Sequence, residues 1–288
     1  MVTPRAGWTF EAAERGDLSR EVEPGFALQA VLDGDGHAAT FCGVEATGPG
    51  SMVARFSIVC GDGTMMLLVG EGEWGGEAGR YSLEGFCWTA DATRVELTLR
   101  APMIRYATHD AYLDLEQGLR GSSLVEADVH LVFEASSQEH GRLHGSVRAG
   151  SVALEVDTVA FLDRGTRRTA DARERIRVLA ARDDGTVVVD RSVTGEHCSL
   201  QMERGAGALG VIRAVSAASR PGRLHEAEVV ARVPVWRPAG EGVLVRWTFG
   251  IVRCRYVGST IASTGLFESL EIFRRPAPPP QGDVDGAT

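Results

Sequence analysis

Apolar and polar positions alternate with a period of two along most of this chain. Val125, Ala127, Val129, Leu131 and Phe133 fall on one parity, and Glu126, Asp128, His130 and Glu134 on the other. Successive side chains on a strand point to opposite faces, so this segment predicts a strand with one dry and one polar face. The signature returns at Val95, Leu97 and Leu99, at Val152, Leu154 and Val156, and at Val229, Ala231, Val233 and Val235. Strands are predicted over 26–33, 37–46, 51–60, 63–70, 79–88 and 93–100, and again over 124–134, 140–148, 150–162, 173–181, 185–193, 196–204, 208–219, 223–237, 242–257 and 261–273. Asp33-Gly34-Asp35-Gly36, Gly61-Asp62-Gly63 and Asp183-Asp184-Gly185 separate neighbours. Such Asx-Gly turns match the twist of antiparallel strands and predict hairpins.

So many strands exceed one eight-stranded barrel. The pattern predicts an all-β chain of two antiparallel barrels or half-barrels in tandem, covering 1–138 and 139–275, with a disordered Pro-rich tail at 276–288. In the last long strand the apolar parity changes, from Val243, Val245, Trp247, Phe249 and Ile251 to Cys254 and Tyr256. One inserted residue near Gly250 would do this, so a β-bulge is expected there.

Composition narrows the chemistry. All 30 Lys+Arg residues are arginine. Schiff-base, pyridoxal, phosphate-loop and protein-kinase mechanisms need a lysine amine and are excluded. The net charge of -9 argues against a nucleic-acid partner. No run approaches the roughly 18 apolar residues of a membrane helix, so no membrane insertion is expected. Met1 to Gly7 lacks a secretory pattern, and the five cysteines, Cys42, Cys60, Cys87, Cys198 and Cys254, are scattered through apolar stretches. A cytoplasmic protein with reduced thiols is the expectation.

Sequence motifs offer little. Gly205-Ala206-Gly207-Ala208-Leu209-Gly210 matches a dinucleotide fingerprint, but the β-branched Val211-Ile212 follows where a helix should begin, so a glycine-rich hairpin is expected. His140 and His144 have the spacing of a zinc helix, yet on a strand they would stand about 13 Å apart. No metal and no cofactor are expected. Tyr106 and His109 lie in the densest cluster of polar groups and are the candidate catalytic residues. Trp88, Trp247 and Phe249 are the candidate substrate-binding wall.

Between Arg94 and Ala180 the chain runs through Arg94-Val95-Glu96-Leu97-Thr98-Leu99-Arg100-Ala101-Pro102, the strand Val125 to Phe133, His140-Gly141-Arg142-Leu143-His144-Gly145-Ser146-Val147-Arg148 and Phe161-Leu162-Asp163-Arg164-Gly165. In that order these features resemble the lipocalin-like superfamily of carotenoid 1,2-hydratases (hydroxyneurosporene synthases) and AttH-type proteins. Of that superfamily's Asp-His-Ser-Trp-Gly turn only Asp163 is present, and Arg164 stands where histidine would be. Hydration chemistry resting on that histidine is therefore not carried over. The resemblance implies two lipocalin-like barrels with an apolar cavity, acting without a cofactor on a hydrophobic polyketide or terpenoid. It points first to a cyclase of secondary metabolism, including [4+2] cycloaddition, that folds a polyene or polyketide. A hydratase or isomerase of a terpenoid alkene, with Glu84, Asp114 or Glu268 as acid, is the alternative within the enzyme class. A non-catalytic carrier is the alternative outside it.

Overall fold

The computed structural model describes residues 9–10, 24–33, 37–48, 51–73, 80–91, 93–107, 121–166, 175–181, 187–193, 200–203, 209–214, 223–240, 243–260 and 262–274. After the short β1 (Thr9–Phe10), one sheet is built from β2 (Pro24–Val31), β3 (Ala38–Gly48), β4 (Ser51–Cys60), β5 (Met65–Glu73), β6 (Arg80–Leu83), β7 (Phe86–Ala90), β8 (Arg94–Tyr106), β9 (Ser123–Ala135), β10 (His140–Ala149) and β11 (Val152–Thr166). Chain neighbours pair antiparallel, β11 returns to β2, and β5 meets β8 at Met65 to Leu67. That pairing closes an eight-stranded barrel. The β6–β7 hairpin fills the fork where β5 and β8 diverge. The segment 79–88, expected as one strand, turns instead at Glu84-Gly85, where Gly85 has a φ of 75°.

The predicted parity is realised in β9. Ala127, Val129, Leu131 and Phe133 are buried, while Glu126, Asp128, His130 and Glu134 are exposed. Leu28, Phe56, Trp88, Leu97, Leu131 and Phe133 belong to one packed cluster inside the barrel. Each such fully buried large side chain contributes roughly 1.5–3 kcal/mol. Filling by side chains is the usual state of so narrow a barrel.

The second sheet contains β12 (Arg175–Ala181), β13 (Val187–Val193), β14 (Leu200–Glu203), β15 (Val211–Ala214), β16 (Leu224–Gly240), β17 (Val243–Tyr256) and β18 (Ala262–Arg274). Its order is β13-β12-β18-β17-β16-β15-β14, with β1 joined to the end of β18, and it curls into a half-barrel. The boundary expected near residue 138 lies between β9 and β10, which are paired neighbours of the barrel; the change of sheet comes between Thr166 and Arg175.

Both faces of the second sheet's middle are covered. Val178, Ala180, Val252, Cys254 and Phe267 fill its curl. From the other face Leu179, Ala231, Val233, Ile251 and Leu266 pack against the barrel's outer wall at Ala39, Phe41, Val59, Met65 and Phe161. This double burial corrects the expected bulge. β17 keeps unbroken register with β18 through Gly250, and the parity change is a change in which face is apolar. The irregularities lie on β16, one of them between Val229 and Ala231. β14 and β15 pair antiparallel, and Val211 opens a strand, as the hairpin reading of the glycine-rich motif expects. Among the described residues no helix is long and apolar enough to cross a membrane.

Candidate functional site in the seam between the sheets

Two rows of side chains face each other across the seam. On the barrel wall Phe161, Gln29 and Phe41 are register neighbours on β11, β2 and β3. On the second sheet Arg177, Glu268 and Phe249 are register neighbours on β12, β18 and β17. Parity explains why they meet: Leu28 and Ala30 point into the barrel, so Gln29 points out, and Phe267 fills the curl, so Glu268 points to the barrel.

The rows are joined by specific contacts. Gln29 Nε2 donates to Glu268 Oε2 at 3.4 Å, and Trp247 Nε1 donates to Glu268 Oε1 at 2.7 Å. The Phe41 and Phe249 rings lie 5.2 Å apart, and Trp247 stacks on Phe249 at 5.4 Å with 20° between planes. Beside them Arg177 Nη1 is 3.5 Å from Asp163 Oδ2. Glu268 is 0% exposed and Gln29 2%. Carrying a carboxyl group out of water is costly unless it is hydrogen-bonded, and here two side-chain donors serve it.

Gln29 Oε1 is buried and has no hydrogen-bond partner. Turning the amide over would set that oxygen against the carboxylate, so the orphan acceptor follows from the Glu268 contact. A buried acceptor without a donor carries an unrecovered desolvation cost. A hydroxyl or N–H group brought into the seam would recover it. The arrangement thus offers a carboxyl group for proton transfer, an acceptor beside it and an aromatic strip of Phe41, Phe249 and Trp247.

The five residues singled out in the sequence fall in different places. Trp247, Phe249 and Tyr106 lie in the packing between the sheets, Tyr106 at the end of β8, where burial raises its phenol. Trp88 is in the other compartment, inside the barrel, 6.4 Å from the Phe26 ring, and its Nε1 is buried without a hydrogen-bond partner. His109 and Asp114 lie outside the described residues. Glu84 sits exposed in the β6–β7 turn rather than among apolar groups. Gln29, Phe41 and Arg177 were missed. For Gln29 and Arg177 the signal was a single polar residue inside an apolar run, as in Leu28-Gln29-Ala30 and Ile176-Arg177-Val178, whereas Phe41 reads as an ordinary strand position. His140 bonds Ser137 Oγ at 2.7 Å and His144 is 3.9 Å from Glu134. Among the described residues no three His, Cys, Asp or Glu side chains gather into a group that could hold a metal ion.

No family model matches the chain, and no curated protein matches it. Solved structures similar to it include an AttH protein from Nitrosomonas europaea, at 12% identity and TM-score 0.44, covering 94% of this chain and 99% of that one. CghA with Sch210972 is similar at 12% identity and TM-score 0.43, over 87% of this chain and 88% of the other. Kievitone hydratase from Nectria haematococca is similar at 8% identity and TM-score 0.45, over 91% and 94%.

Proposed function

We propose that the chain is a cofactor-independent cyclase that takes an apolar polyketide- or terpenoid-like molecule into the seam and closes a ring in it. The observation that supports this most is the fully buried Glu268 carboxyl, held by Trp247 and Gln29 at the end of an aromatic strip. The strip folds the flexible substrate into a reactive conformer, and ordering of that kind removes much of an entropic barrier. Gln29 Oε1 anchors a substrate hydroxyl or N–H. Glu268 exchanges a proton with the carbon or oxygen next to it, and Tyr106 and His109 stabilise charge on a substrate carbonyl. A [4+2] closure, which moves no proton, would draw on the strip, the anchoring acceptor and the carbonyl contacts alone.

Hydration or isomerisation of an alkene is a second reading, favoured by the same carboxyl, because protonating an alkene needs a buried acid. A carrier would need the seam but not the acid. The test is incubation of the protein and of Glu268→Gln with a panel of linear polyenes and polyketides, followed by mass analysis of the released molecule. A ring-closed product of unchanged mass is expected, lost by about 100-fold or more in Glu268→Gln while binding persists. A product heavier by water selects the hydratase, unchanged ligand selects the carrier, and full conversion by Glu268→Gln overturns the role of that residue.

A further inference from the structure

We infer that a groove on the outer wall of the barrel, remote in register from the seam, binds a small hydroxylated molecule carrying one carboxylate or phosphate. The groove has a volume of about 820 Å³ and lies between the β6–β7 hairpin and β8, β9 and β10. That volume is in the usual range for small-molecule sites. Its floor is two rows of register neighbours. Cys87, Thr98, His130 and Ser146 form the first, and Arg100, Asp128 and Arg148 the second. Arg80 also lines the groove.

Charge identifies the occupant. The guanidinium groups of Arg100 and Arg148 face the single carboxylate of Asp128 on the groove's floor, on a chain whose net charge is -9. Asp128 lies between them, and Arg100 Nε reaches its Oδ1 at 3.4 Å. Arg148 forms no ion pair or hydrogen bond through its side chain, and neither do the Thr98 and Ser146 hydroxyls, among the described residues. Elsewhere on this wall the fold pairs its charges closely: Arg142 grips Asp157 through two hydrogen bonds of 2.7 Å. The groove instead leaves a planar fork of donors open beside two hydroxyls and an imidazole, the set that recognises an oxyanion attached to hydroxyl-bearing carbon. His130 is tied through Nε2 to Glu96 at 3.2 Å, which leaves Nδ1 for the ligand. Glu96 and the exposed Glu155, next in register to Ser146, flank the groove. They repel an extended polyanion, so the site suits one anionic head and not a nucleic acid.

The probes are glucose 6-phosphate and glucuronate, titrated calorimetrically into the full chain at low salt, with glucose as the uncharged control. Saturable single-site binding of at least one anionic probe is expected, and the stronger one identifies the head group. Arg148→Ala weakens it by about 10- to 100-fold, the size of one charge-assisted hydrogen bond. Arg142→Ala, on the same wall but paired, leaves it unchanged, and both variants keep the wild-type thermal midpoint. Absence of saturable binding, equal binding of glucose, an unaltered affinity in Arg148→Ala or an equal loss in Arg142→Ala each overturns the proposal. Seam activity is not read in this titration, so its outcome is independent of the cyclase reading.

Discussion

Cys42 and Cys60 pack inside the barrel, and burial pushes both thiols up, Cys60 to about 11 with Asp62 adding to the effect. Cys87 is half-exposed in the outer groove. Because the thiolate is the reactive form, iodoacetamide at neutral pH is expected to label Cys87 well before Cys42, Cys60 and Cys254, which peptide mapping by mass spectrometry will show. The same shifts give the pH response. Cys60 stays protonated in the folded chain above its ordinary value of 9.0, and burial raises Tyr81 and Tyr106 as well. The unfolded chain loses these protons first, so their contribution is complete below pH 9.0 and is lost as pH rises towards 11. Thermal midpoints measured across that window are expected to fall steadily; a flat profile would contradict the burial of these groups. Gln29 and Glu268 were legible only as polar interruptions of apolar runs, because a single residue in a strand carries no sign of whether it meets water or another sheet.

At the scale of the strand, alternation was sufficient to locate most elements, and it failed where two faces are covered at once. In β17 the apolar parity changes although the register with β18 does not, since the barrel covers one face at Trp247 and Ile251 and the curl covers the other at Val252 and Cys254. Close strand approach is visible at several glycines, Gly145 and Gly250 among them. Gly145, with φ of 138°, would set a Cβ 2.0 Å from the His130 carbonyl oxygen, and Gly250 would set one 2.1 Å from that of Ala231. Neither backbone atom can move without breaking its ladder. Gly145→Ala and Gly250→Ala are each expected to cost about 1–3 kcal/mol, read as a lower urea midpoint with unchanged slope. Substitution at Gly43, whose Cβ would meet only the Phe26 carbonyl oxygen at 3.8 Å, is the tolerated control.

At the scale of the molecule, the seam joins a barrel that closes on itself to a sheet that does not. Phe41 sits at its centre, between the barrel wall and Phe249. Its truncation to Ala is expected to cost about 3–5 kcal/mol and to loosen the second sheet selectively, since the barrel's inner cluster is untouched. Calorimetry should show one transition for the wild type and two for Phe41→Ala, with the barrel melting last. A single sharp transition in the variant would mean that the two sheets unfold together for reasons other than this contact. Glu268→Gln in the same experiment keeps the packing volume and should retain one transition.

The chain's own pattern determined that it is all-β, that its neighbours are hairpins, and that lysine chemistry is closed to it; these follow from local periodicity, turn residues and composition. Trp247, Phe249 and Tyr106 were legible as large amphipathic groups, but not as neighbours. Only the tertiary structure decided that Gln29 and Glu268, 239 residues apart, share one hydrogen bond, that Trp88 belongs to the barrel's inside, and that the sheets divide after Thr166. The physical reason is the same in each case. A period of two tells which residues share a face, whereas the partner of that face is chosen by pairings made far along the chain, when β11 returns to β2 and β18 crosses to β12.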